Sequence, residues 1–206
     1  MTKVSDIVSY LHSEYPTQLA SNFDLGKIGL QFGSSKKEVK KVMLALDGTT
    51  EVIKEALKEN VDLLITHHPF MFSSLLNMNY DNPLQEKIKL VIQNELNVFS
   101  MHTNFDVAIN GMNELLANYL NIKNVRSDQT EIDNNAFLRY GEVESCTLNE
   151  FVDFVKEKFN LKSVRVVGNL DKKINKVGII GGSGGFELYK ASFRNCDVFV
   201  TGEIKH

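Results

Sequence analysis

Residues 62–72 read DLLITHHPFMF, an apolar run that ends in two adjacent histidines and a proline. One histidine at a strand end is commonly a hydrogen-bonded structural residue. His67 and His68 side by side are harder to account for by packing. A second segment, NVFSMHTNFD (97–106), delivers His102, Asn104 and Asp106, and a third, KVMLALD (41–47), ends in Asp47. Neutral imidazole nitrogens and carboxylate oxygens are the usual ligands of zinc, iron or manganese. The residue types therefore point to a metal site. Successive residues of an extended strand face opposite ways, so His67 and His68 share one ion only where the chain turns, and Pro69 marks such a turn. Otherwise each serves a different ion of a pair, with a carboxylate such as Asp106 between them, as in many metallohydrolases. The spacing is compatible with one ion or two.

These groups must be positioned by the elements around them. A helix over 3–15 is followed by a loop ending in IGLQFG (28–33) and a strand at 41–47. TTEVIKEALKEN (49–60) has apolar residues at helical spacing with Thr49 or Thr50 available as an N-cap. A buried strand at 61–66, a helix at 83–95 with proline in its first turn, a strand at 97–106 running into a polar loop, and a helix at 111–122 complete the series. The alternation predicts an α/β fold with mostly parallel sheets and flanking helices. In such folds ligands bind beyond the carboxyl ends of the strands, where Asp47, His67, His68 and His102 all fall.

The polar stretch KNVRSDQTEIDNN (123–135) is the expected boundary between an N-terminal lobe, 1–125, and a second α/β lobe, 126–206. Beyond it, strands are expected at 136–144, 163–169, 174–182 and 196–202, with helices at 147–160 and 186–195. GIIGGSGG (178–185) has two readings: Gly181, Gly182, Ser183 and Gly184 cradle a phosphate with backbone N–H groups, or they form a tight strand-to-helix turn. The motif is neither a Walker loop nor a dinucleotide fingerprint, and no base accompanies Ser183. Glu203 and His206 in TGEIKH would share one face if a helix begins there. The chain stops just after a strand and reads as cut short, its second lobe incomplete.

Bulk properties weigh against several classes without excluding a nucleic-acid partner. The formal net charge of −3 makes no electrostatic case for a nucleic-acid or anionic-membrane partner, and the lysines of SSKKEVKK (34–41) read as a solvated turn. Two distant cysteines, Cys146 and Cys196, form no redox or metal pair and suit a reduced, cytoplasmic protein. The N-terminus reads as an amphipathic helix rather than a signal peptide, and no apolar run reaches membrane-spanning length.

In order along almost the whole chain, IGLQFG, ALDGTTEVIKEAL, DLLITHHPFMF, SMHTNFD, KVGIIGGSGG and DVFVTGEIKH resemble the Nif-three-like (NGG-one-interacting-factor-three-like) proteins. These are also known as GTP cyclohydrolase 1 type 2 homologues or dinuclear metal centre proteins. HHP and HTNFD are the most specific parts of the match. The resemblance implies a two-lobed α/β subunit, assembly into a toroidal homohexamer, and two divalent ions per subunit (zinc, iron or manganese). It implies that His67, His68 and Asp106 are metal ligands, with Asp106 bridging, and that His102 lines the site. The family's other ligands, a histidine and a glutamate four residues later, follow TGEIKH, so one ion or partial occupancy is expected here; Glu203 and His206 do not match that pair. The implied activity is metal-dependent hydrolysis of a nucleotide or related small substrate, such as GTP. The alternative is a non-enzymatic metal-binding regulatory or interaction module with a structural site.

Overall fold

Thr49 caps a helix that opens one turn after a strand, and this strand-to-helix unit is the pattern of the first half of the chain. The computed structural model describes residues 1–127 and 136–205. It contains two compact units, Met1–Phe105 and Asp106–His206.

In the first unit, helix α1 (Val4–Glu14) precedes strands β1 (Gly29–Phe32) and β2 (Val42–Ala45). Helix α2 (Thr50–Lys58), strand β3 (Leu63–Thr66), helix α3 (Pro83–Gln93) and strand β4 (Asn97–Ser100) follow, and the short helix α4 (Thr103–Val107) straddles the boundary at Phe105. The sheet runs β1-β4-β3-β2. Strands β2, β3 and β4 are parallel, and β1 adds an antiparallel edge. Every residue of β3 and β4 is buried, as befits strands covered on both faces. On one face Leu64 and Val98 pack with Ile53 and Ala56 of α2 and Ile88 and Val91 of α3. On the other, Leu63, Ile65 and Phe99 pack against Ile7, Val8 and Leu11 of α1. Asn97 ties the amino ends together, donating to the Asp62 carbonyl at 2.7 Å and accepting from the Ser34 N–H at 2.8 Å.

The second unit contains α5 (Met112–Tyr119), β5 (Lys123–Ser127), β6 (Arg139–Thr147), α6 (Leu148–Lys158), β7 (Lys173–Ile180), α7 (Leu188–Phe193) and β8 (Val198–Thr201). Its sheet runs β5-β6-β7-β8. Only β7 and β8 are parallel. A capping box of Thr147 and Glu150 starts α6. Phe151 and Val155 of α6 pack with Ala117, Leu120, Ile174 and Val177.

The α/β class and flanking helices agree with the sequence expectation, with corrections in both units. The second sheet is mainly antiparallel, because the chain after α6 runs back outside the sheet and starts β7 beside the end of β6, pairing Lys173 with Thr147. The expected strand at 163–169 is that returning stretch, which joins no sheet; its Val167 is 99% exposed. IGLQFG, expected to close a loop, supplies edge strand β1, and the polar loop expected after β4 contains α4. Residues 123–127 of the expected linker are strand β5, while 128–135 lie outside the described residues. Helix α5 belongs to the second unit because Ala117 and Leu120 lie in its core. Among the described residues no helix is long and apolar enough to cross a membrane.

Gly48 connects this packing to the sheet edge. A Cβ there would lie 2.6 Å from Cδ2 of Phe70, itself 3% exposed. The Asp47 loop therefore rests directly on the aromatic ring two residues beyond His68. Gly48→Ala is expected to destabilise the protein by about 1–3 kcal/mol through overpacking, read as a lowered urea midpoint with unchanged slope.

Candidate metal centre

The parallel register places Ala45 beside Thr66 and Thr66 beside Ser100, so three strands end level. Beyond them the chain turns rather than continuing extended. The Thr66 hydroxyl donates to the His68 carbonyl at 2.9 Å, folding the backbone over itself. The amides of His67 and His68 still donate to the carbonyls of Ala45 and Leu46. Both rings consequently approach each other, with centroids 5.1 Å apart. The ring of His102, just before α4, lies 5.2 Å from that of His67 and 5.6 Å from that of His68. One ligand-type nitrogen from each of the three falls within 4.8 Å of the others.

Two carboxylates hold these rings from behind. Asp47 Oδ1 accepts from Nδ1 of His68 at 2.7 Å, a pair whose side chains are 46% and 52% exposed. Asp24 accepts from Nδ1 of His102 at 2.8 and 3.0 Å. Burial alone would raise the Asp24 carboxyl, yet hydrogen bonds from His102 and Thr103 outweigh it and hold it below the ordinary carboxylate range. His67 is the opposite case. Burial first, then the neighbouring His102 and His68, lower its pKa to about 4, against small opposing contributions from the Met101 backbone and Asp24. It is therefore a neutral imidazole at physiological pH, the form that binds metals. A histidine ligand that donates its other ring N–H to a carboxylate is the common support of a bound metal. The donor set fits one divalent ion of the zinc type, and it is the one such cluster among the described residues.

The other residues singled out by sequence divide differently. Asp47 faces the cluster as the partner of His68. His102, expected only to line the site, belongs to the cluster itself. Asn104 is buried and its amide is used in backbone support, accepting from the His102 N–H at 3.0 Å and donating to the Tyr15 carbonyl at 2.9 Å. Asp106 lies in the last turn of α4, and the carbonyls of the next two residues accept from the buried Arg139 guanidinium at 2.6 and 3.3 Å. In the glycine loop, the Gly181 N–H donates to Asn113 and the Gly184 N–H to Thr201. A Cβ at Gly184 would lie 2.6 Å from Ile180. These contacts build a tight turn, with Gly182 at φ +61° and Ser183 exposed. Glu203 is exposed and no helix begins there; His206 lies outside the described residues. Asp24 escaped the sequence reading altogether. It ends a single 3-10 turn, Asn22–Asp24, too short to leave a periodic signal, and SNFDLG offers no spacing to connect it with His102.

The sequence and fold have counterparts in known proteins. The Duf34/NIF3 (NGG1p interacting factor 3) family profile matches residues 2–206. A protein of Clostridium acetobutylicum named GTP cyclohydrolase 1 type 2 homolog is 35% identical over 210 residues, covering 99% of this chain and 77% of that protein. Among solved structures, a Staphylococcus aureus hypothetical protein matches with a TM-score of 0.91 at 31% identity, covering 99% of this chain and 80% of the other. Reduced HcgD from Methanocaldococcus jannaschii matches with a TM-score of 0.80 at 31% identity, covering 100% and 80% respectively. Fold, motifs and profile agree, and the chain belongs to the Duf34/NIF3 family.

Proposed function

We propose that the protein is a metal-dependent hydrolase acting on a nucleotide or a related small substrate. The observation that carries this reading is the convergence of three imidazoles within 4.8 Å, two of them backed by carboxylates. His67 and His68, with Asp106 and His102, hold the metal. Asp106 follows His102 by four residues in the same HTNFD segment. In the fuller form of the reading two ions bind per subunit, and Asp106 is shared between them; zinc, iron and manganese all suit these donors. A divalent ion here supplies Lewis acidity for hydrolysis. The chain's own contribution is to keep His67 neutral, aim His68 and His102, and leave the His68–Asp47 side open to solvent and substrate. GTP is the first substrate to try, because the curated relatives carry the name GTP cyclohydrolase 1 type 2 homolog.

Assembly forms part of the same proposal. Leu44 and Leu46 on and beside open edge strand β2 are 75% and 59% exposed, the kind of apolar surface that a homohexamer covers.

Metal removal is the direct test of the activity. Turnover of GTP by the full-length metal-loaded protein should fall at least about 100-fold after EDTA treatment or in His68→Ala, and return only to the former on re-addition of metal. Turnover that ignores EDTA would sink the hydrolase reading. Metal binding without any turnover would favour the regulatory module.

Protons should compete with metal at His67. Its folded pKa of about 4 lies below the ordinary 6.5, so its stabilising contribution is complete above about pH 6.5 and fades toward pH 4, as the unfolded chain takes up a proton first. Thermal melts of metal-free protein should show this decline. His67→Gln should flatten it, and an unchanged profile in that variant would contradict the assignment. Leu44→Asp should convert a hexamer to smaller species in light scattering; a wild-type monomer would refute the assembly proposal.

A further inference from the structure

We propose that Asp24 is a positioning residue that locks His102 as its Nδ1–H tautomer and presents Nε2 to the metal, and that it matters more than Asp47. The inference rests on the metal-binding reading of the site. A carboxylate has only lone pairs to offer, so the hydrogen between Asp24 and His102 must be on Nδ1. Asp24 is 0% exposed, and it also accepts from the Thr103 N–H at 3.1 Å and the Thr103 hydroxyl at 2.5 Å. That hydroxyl in turn accepts from the Ser21 N–H at 2.9 Å, which directs its own hydrogen toward Asp24. The carboxylate is therefore surrounded by donors that orient one another, with no solvent to replace any of them.

Asp47 makes a similar bond to His68, but that pair is about half exposed on both sides. Water can take over as acceptor when Asp47 is removed, and exposed ion pairs contribute little. At Asp24 the same loss leaves buried donors unmatched. In Asp24→Asn, an amide oxygen in the place of Oδ2 still accepts from His102 and Thr103, but the new NH2 then stands about 3.0 Å from His102 Nδ1 and opposes its hydrogen, so the preference for the Nδ1–H tautomer is weakened.

The test uses metal-free protein with 15N-labelled histidine and long-range proton–nitrogen spectra above pH 7.5, followed by zinc titration against a chromophoric chelator. In wild type, His102 should be protonated on Nδ1 alone. Asp24→Asn should show mixed tautomers and bind zinc about 10–100-fold more weakly, whereas Asp47→Asn should lose less than about fivefold. Equal losses in both variants, or an unchanged His102 tautomer in Asp24→Asn, would overturn the proposal. So would Nε2 protonation in the wild type, a measurement that does not depend on any variant folding. If wild type binds no zinc, the metal reading fails, while the metal-free spectra still decide whether Asp24 sets the tautomer.

Discussion

The register of three parallel strands is the constraint on which the site depends. Ala45, Thr66 and Ser100 stand level, so the residues just beyond them meet at one sheet edge. A slip by one residue would reverse every side chain between the two faces. Here such a slip would expose Leu64 to the α1 side and Leu63 to the side of α2 and α3, disrupting two hydrophobic clusters together. The hydrophobic effect thus supplies the precision that the imidazoles need. The Thr66 and Ser100 hydroxyls, 2.9 Å apart, add a polar pin at the level where the strands stop. From that pin the Thr66 hydroxyl folds the backbone back onto His68, and the Ser100 hydroxyl accepts from the Phe70 N–H at 3.3 Å.

What was legible in the sequence follows from how local each signal is. Strand ends carrying histidine and carboxylate are visible because an apolar run and its polar terminus lie within ten residues, as in LLITHHP. The helices α2, α3 and α6 were readable from apolar spacing and end signals for the same reason. SVRVVGN misled because valine favours strands, yet pairing is a tertiary event and propensity only weakly governs it. Parallel order in the second sheet was inferred from helix–strand alternation. Alternation cannot reveal that the segment after α6 returns the chain to the starting end. Asn104 drew notice as a polar group next to His102, but its amide satisfies backbone groups instead. The Asp24–His102 contact spans 78 positions, and no periodicity links two residues so far apart.

Three imidazoles gathered at a sheet edge are an electrostatic liability as well as a resource. Burial first, and then the neighbouring His102 and His68, raise the cost of protonating His67. That ring is therefore held neutral, which is also the state that a cation selects. Negative charge balances the cluster unevenly: Asp24 is sealed within the fold, while Asp47 meets solvent. The uneven balance has a structural origin. Asp24 ends the 3-10 turn Asn22–Asp24 and accepts from Thr103 of α4, whereas Asp47 stands just beyond β2, the edge of its sheet among the described residues. One ring is held by the interior and the other by the rim. An ion bound between them would meet one ligand held by a buried carboxylate and one whose carboxylate support is open to water.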